Sequence, residues 1–391
     1  MPAATAFTYQ FSALRGHQAG RDYYAAMVPL GLVPKLFVFD DEELKPELRA
    51  QRKLNRSRIP EIAKYVLDNP REYVFSALTA SVDGQVRFVA AASENGTQEN
   101  IGVLSVPMNA RFVINDGQHR RAAIEQVLRD QPDFGTETIC VVLFVDAGLR
   151  RSQQMFADLN KHAVRPTRSL GILYDHRDPL SQLAKQLAGE VPIFRDLTEM
   201  DKVTISNRSI KLFTLSSIYF ATRQLLEKPV RAPVSIEEAQ LSKEFWIEVA
   251  KHMPDWQRAA RRTVSSAELR RDYIHAHGVA LQALAMAGAE LIKRAPTKWR
   301  GKLKALRGID WSRNNRKLWE GRATIGGRVS KATNNVVLTA NVIKERLGLG
   351  LSSTQEKVER IHGDGKRRRT GLRNDASPRA SDAERRAASG A

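Results

Sequence analysis

The chain of 391 residues is long enough for two or more domains with sizeable cores, and its 42% apolar content is ordinary for a globular protein. It has no stretch of about 18 continuous apolar residues, so no membrane-spanning helix is expected. Its single cysteine, Cys140, cannot form an internal disulfide and suits a reducing compartment. The net charge of +19, from 62 Lys and Arg against 43 Asp and Glu, points to a polyanionic partner, either nucleic acid or an anionic membrane surface.

The opening MPAATAFTYQF lacks the charged-then-apolar pattern of a secretory signal, and a cytoplasmic protein is expected. Residues 1–195 read as an α+β domain. Strands are predicted at 35–40, 72–81, 85–91, 101–107, 111–115 and 137–145, where β-branched and aromatic residues are bounded by Gly, Asp or Pro. Asp83-Gly84 carries a hairpin-turn signal. Helices are predicted at 58–69, 118–130 and 149–161. Residues 196–350 read as mostly helical, with helices over 209–226, 236–253 and 269–295. From Leu351 to 391 the chain is small, polar and basic, as in GKRRRTGLRNDASPRA, and a disordered tail is expected.

The stretch DGQHRR (116–121) stands between a strand and a helix. Gly117 permits a tight turn, and Asp116 is placed to cap the helix that begins near Gln118. Its apolar face is Ala123, Ile124, Val127 and Leu128, and at about 100° per residue Arg120 falls near the middle of that face. Arg121 lies at the edge, four residues before Glu125, and an i,i+4 pair accounts for it. Arg120 needs an inward partner, either a bound anion at the helix start or an internal salt bridge to a carboxylate elsewhere in the domain. His119 completes the box.

A second cluster, MFADLNKHAVRPTRSL (155–170), places Met155, Phe156 and Leu159 inward at helical spacing. Asn160, Lys161 and His162 gather at the helix end, with Arg165 and Arg168 beyond it. Dipole compensation explains Lys161 and His162 alone, but not Asn160, Arg165 or Arg168. In YDHRDP (174–179) a polar turn before a helix outweighs a divalent-ion site. No metal site and no nucleophile motif is found, the P-loop pattern is absent, and His275 and His277 diverge on a helix.

Residues 293–331 carry thirteen Lys or Arg against Asp310 and Glu320, a net +11, more than half of the whole excess. The DNA-backbone candidates there are Lys298, Arg300, Lys302, Lys304, Arg307, Arg313, Arg316, Lys317, Arg322 and Arg328. Trp299, Trp311 and Trp319 are interleaved, and a core role for at least two of them outweighs stacking on exposed bases.

At INDGQHRRAAI and QMFADLNKHAVRPTRSLGILYDHRDP the chain resembles the DGQHR-domain family DndB, of DNA phosphorothioation (sulfur modification) systems. The resemblance covers about residues 7–225 and includes the N-terminal boxes in the right order. It implies a ParB- and sulfiredoxin-like fold. Gly117, His119, Arg120 and Arg121 would then fill one phosphate-holding position, and Asn160 and Arg165 another. Gln118 stands where the ParB pattern has Glu. The resemblance also implies a DNA-binding regulator that represses transcription of the modification genes. Its partners would be double-stranded promoter DNA and other modification proteins, with an oligomer allowed. The contrasting reading is a ParB-like switch or NTPase taking a nucleoside triphosphate as cofactor, or a nicking nuclease. For the nuclease, Asp116, Asp158, Asp175 and Asp178 are candidates by residue type only. A third reading is an interaction scaffold for the modification complex.

Overall fold

A computed structural model describes residues 7–37, 55–93, 96–145, 149–161 and 166–361. The chain is α+β and divides into two compact units, one up to Val164 and one from Arg165 on. Residues 165–195, placed by the sequence in the first domain, contribute Ile172, Leu180, Leu187 and Phe194 to the core of the second unit.

The first unit is built on seven strands, β1 (Thr8–Gln18), β2 (Arg21–Pro29), β3 (Leu78–Asp83), β4 (Arg87–Ser93), β5 (Gly96–Pro107), β6 (Arg111–Asp116) and β7 (Thr138–Val145). They form one mixed sheet in the order β4-β5-β1-β2-β7-β3-β6, antiparallel except between β3 and β7. β3 and β4 do not pair, so the Asp83-Gly84 signal marks a turn but not a hairpin. The link from Asp83 to Arg87 spans at most about 14 Å. Five strand spacings across a flat sheet are about 24 Å. The sheet must therefore curl to bring β4 near β3, and the short link from β5 to β6 demands the same.

Helices α1 (Val33–Leu36), α2 (Ile59–Asp68), α3 (Gln118–Asp130) and α4 (Leu149–Lys161) complete the unit. Phe11, Ala13, Tyr24, Ala26, Val28, Leu104, Ile114 and Val141 line one sheet face and pack with Ala63 and Val66 of α2 and Ile124 and Val127 of α3. Each fully buried Val, Leu or Ile of this set contributes roughly 1.5–3 kcal/mol.

Helices 59–68, 118–130 and 149–161 match the expected positions, and the strands at 85–91, 101–107, 111–115 and 137–145 differ only at their ends. Three further readings need correction. The hairpin β1–β2, turning at Ala19 and Gly20 with positive φ at both, is absent from the predicted strands. Residues 35–36, expected as strand, lie in α1, because Pro34 at a helix start fixes φ where a short helix begins; 38–40 lie outside the described residues. The strand expected from 72 starts only at Leu78. Before it, the Val74 N–H donates to the Tyr65 hydroxyl (2.9 Å), and the Ser76 and Ala77 carbonyls accept from Arg120, so this backbone is satisfied outside a ladder.

The second unit contains α5 (Arg168–Tyr174), α6 (Pro179–Glu190), α7 (Leu215–Leu226), α8 (Ile236–Lys251), α9 (Pro254–Ala260), α10 (Ser266–Asp272), α11 (Gly278–Arg294), α12 (Trp299–Lys302), α13 (Arg316–Trp319) and α14 (Thr333–Arg346). The two-residue strand pairs Thr198–Glu199 with Phe213–Thr214 and Thr324–Ile325 with Arg328–Val329 complete it. α11 is apolar almost all round and is buried at Val279, Ala280, Leu281, Ala283, Leu284, Ala287 and Leu291, as befits a central helix. The helix expected over 209–226 begins at Leu215, where the Thr214 side chain caps it. The one expected over 269–295 is three pieces, because Tyr273 and His277 are extended.

All five tryptophans of the sequence lie in this unit, and all are buried. Part of the expected tail is also ordered. Residues 353–361 are helical, with Glu359 paired to Arg322 and accepting from Asn341 at 3.0 Å; 362–391 lie outside the described residues.

Candidate functional site

The DGQHRR box sits where the edge strand β6 meets α3. Gly117 is the N-cap at φ +104°, and a Cβ there would lie 2.4 Å from Leu78 Cδ2, so both backbone and packing require glycine. Asp116, expected as the cap, instead accepts from Arg120 Nη2 at 2.6 Å. Arg120 Nη1 donates to the Ser76 carbonyl at 2.7 Å, to the Ala77 carbonyl at 3.1 Å, and to the Ser76 hydroxyl. Arg121, buried, pairs with Glu125 as its spacing predicts and also donates to the Pro34 carbonyl at 2.9 Å. Burial lowers the Arg121 guanidinium pKa from its usual value, and Glu125 opposes that shift. His119 Nε2 accepts from the Asn55 N–H at 3.1 Å, and Gln118 is buried with its amide directed at the Ile114 carbonyl.

The box thus ties the start of α3 to three other segments, at 34, 55 and 76–77. Both arginines find internal acceptors. Sequence reasoning missed these partners because they lie 43 to 87 positions away and are mostly backbone atoms, which carry no residue-type signal.

The second box is divided between the units. Asn160 and Lys161 end α4 in the first, and His162 and Arg165 lie outside the described residues. Arg168 opens α5 in the second, exposed, with its guanidinium 5.8 Å from the Phe220 ring centre. Leu159, expected inward, is 42% exposed.

The carboxylates named for metal chemistry serve as local acceptors. Asp175 accepts from the Arg177 and Asp178 N–H groups at 3.0 Å, and Asp178 caps α6, which is the polar turn expected there. Asp158 accepts from Gln154 at 2.8 Å. Among the described residues, no group of three or more His, Cys, Asp or Glu is placed to hold a metal ion. His275 is buried between Trp256 Nε1, which donates to Nδ1 at 3.2 Å, and Asp255, 3.1 Å from Nε2. Burial lowers its pKa, so the ring serves as a neutral bridge. Burial pushes the Cys140 thiol up, away from the reactive thiolate.

In the basic segment 293–331, Trp299, Trp311 and Trp319 point inward, and Trp311 and Trp319 stack at 5.5 Å between ring centres. None of the three offers a face to a base. The cations on the same elements consequently project outward. Lys298, Arg300, Lys302, Lys304, Arg307, Arg316, Lys317 and Arg328 are exposed. Some have internal commitments. Arg300 pairs with Glu244 and lies 4.4 Å over Trp299, Arg307 donates to the Lys251 carbonyl, and Arg322 pairs with Glu359. Arg313 donates to the Arg271 and Gly327 carbonyls. Lys298, Lys302, Lys304 and Arg328 make no ion pair among the described residues, which leaves their charge for an external anion.

The box thus lies within the first unit, between β6 and α3, and the exposed cations of 293–331 lie in the second. A family model described as DNA-sulfur modification-associated matches residues 11–350, through both units and the whole basic segment. The chain belongs to that family, DndB. No curated protein and no solved structure matches it.

Proposed function

We propose that the protein is a DNA-binding regulator of a DNA sulfur-modification system and represses transcription of the modification genes. The observation that carries this reading is the outward lysine set on 293–331, joined to the family. Three tryptophans fix the elements from within, and Lys298, Lys302 and Lys304 are left unpaired on the outside. Such a surface attracts phosphates without reading bases. With the aromatic faces buried, duplex DNA is a better partner than single strands.

The test is binding to the promoter of the linked modification genes against random duplex, over a salt series. Promoter binding is expected to be tighter, with affinity falling linearly on a log-log salt plot. Replacing Lys298, Lys302 and Lys304 together by Gln should reduce that slope by about 2 to 3, near 0.9 for each phosphate no longer neutralised. Binding that ignores salt, or equal affinity for random DNA, would sink the repressor reading.

A further inference from the structure

A cleft of about 720 Å³ opens in the second unit at the start of α11. Its wall includes Arg270, Arg271, Arg313, Lys331 and His277, with Glu268 the one carboxylate. Arg271 is held by Asp272 through two hydrogen bonds, of 2.8 and 2.7 Å. The other two arginines are fixed by main-chain carbonyls. Arg270 donates to those of Lys211, Ser206 and Ser209, and Arg313 to those of Arg271, Arg270 and Gly327. Carbonyl contacts orient these guanidinium groups without an ion pair to either, although Asp272 is near enough to Arg313 to feel its charge.

Lys331 is the least settled of the set. The residue as a whole is exposed, and its amine lies at the first turn of α11. A Cβ at Gly278 would lie 3.1 Å from the amine and 2.4 Å from the Ser217 hydroxyl, so only glycine admits both. The amine makes no hydrogen bond or ion pair among the described residues, and desolvation lowers its pKa. It lies beside the positive end of a 17-residue helix and in the same wall as two arginines, an unfavourable place for a bare ammonium group. His277 registers the same field. Burial and the charges of Arg313, Lys331 and Arg270 lower its pKa to about 4, and its Nε2 donates to the Arg270 carbonyl at 2.7 Å.

We infer that this cleft binds a phosphate group, with Lys331 and Arg313 as its charged contacts and the Ser217 hydroxyl and the Gly278 N–H as further donors. The volume exceeds what one phosphate needs and accommodates an attached nucleoside, which is either a free nucleotide or part of a DNA strand. The site is independent of promoter recognition and can hold where that reading fails.

The test compares the full chain with Lys331→Met, in chloride buffers matched in ionic strength, with inorganic phosphate, thymidine 5′-monophosphate and duplex DNA as probes. In the wild type, phosphate and the nucleotide should raise the melting temperature beyond the chloride control. In Lys331→Met the protein without ligand should melt no lower than wild type, since a repelled charge has been removed. Its phosphate and nucleotide affinities should fall at least tenfold. If the natural source is DNA, the variant also loses DNA affinity several-fold on every sequence, and phosphate competes with DNA in the wild type. If it is a free nucleotide, DNA affinity is unchanged. Equal response of both proteins to phosphate overturns the site, as does no response in the wild type. A variant that melts lower and keeps its phosphate affinity makes Lys331 a structural residue. Lys331→Arg, which retains the charge, should recover binding.

Discussion

At the scale of single residues, Arg120 shows how far the sequence could be read. Helical phase alone places its guanidinium inward and so demands a partner. The structure supplies Asp116, the Ser76 hydroxyl and the Ser76 and Ala77 carbonyls. Hydrogen bonds to a charged group are each worth roughly 1.5–3 kcal/mol. Arg120→Ala should therefore destabilise the first unit by about 2 kcal/mol or more, seen as a lower urea midpoint, with Arg120→Lys recovering part. A variant that keeps its midpoint but loses heat of binding with CTP, ATP or GTP would make the box a nucleotide site instead. That Arg120 needed an acceptor was legible. Which acceptors it found was not, because the Ser76 and Ala77 carbonyls become neighbours only when β3 pairs beside β6.

Among the elements, α3 and α4 were legible to the residue because polar and apolar positions alternate there with helical period. The β1–β2 hairpin was not. Its alternation is present, Phe11 and Ala13 on one strand and Tyr24, Ala26 and Val28 on the other, but Gly16, His17 and Gln18 dilute it and Ala19-Gly20 is a weak turn signature. A buried ion pair joins α11 to α14 beside their apolar contact. The Lys344 ammonium, almost wholly buried, meets Glu290, which also takes Arg294 at 2.5 Å. Removing one partner of such a pair leaves the other charged and dry. Glu290→Ala should cost on the order of 3–5 kcal/mol in urea unfolding, and adding Lys344→Met should restore most of it. An additive double mutant would show that the pair contributes nothing.

For the whole molecule, acidity should act mainly through the second unit, where His277 and His275 are held neutral. A histidine whose folded pKa is depressed takes up its proton more readily when unfolded. Its contribution is therefore complete above the unfolded pKa near 6.5 and is lost as pH falls from there toward 4. His277 alone should remove about 2 kcal/mol between pH 7 and pH 5. The midpoint of urea unfolding in phosphate-free buffer should fall over that interval, and a flat profile would contradict the burial argument. The basic segment shows the same division between sequence and structure as the box. Its charge could be counted from the sequence, but the sorting of each lysine into outward or committed depended on where the tryptophans went.

Those tryptophans have a practical consequence. All five indoles are buried in the second unit and none belongs to the first. Intrinsic indole emission is therefore a private channel for the helical unit and is silent to the state of the sheet. Duplex docking on the outer lysines should leave that emission nearly unquenched. Comparing it with far-ultraviolet circular dichroism would separate the unfolding of the two halves in the intact chain, with no label introduced.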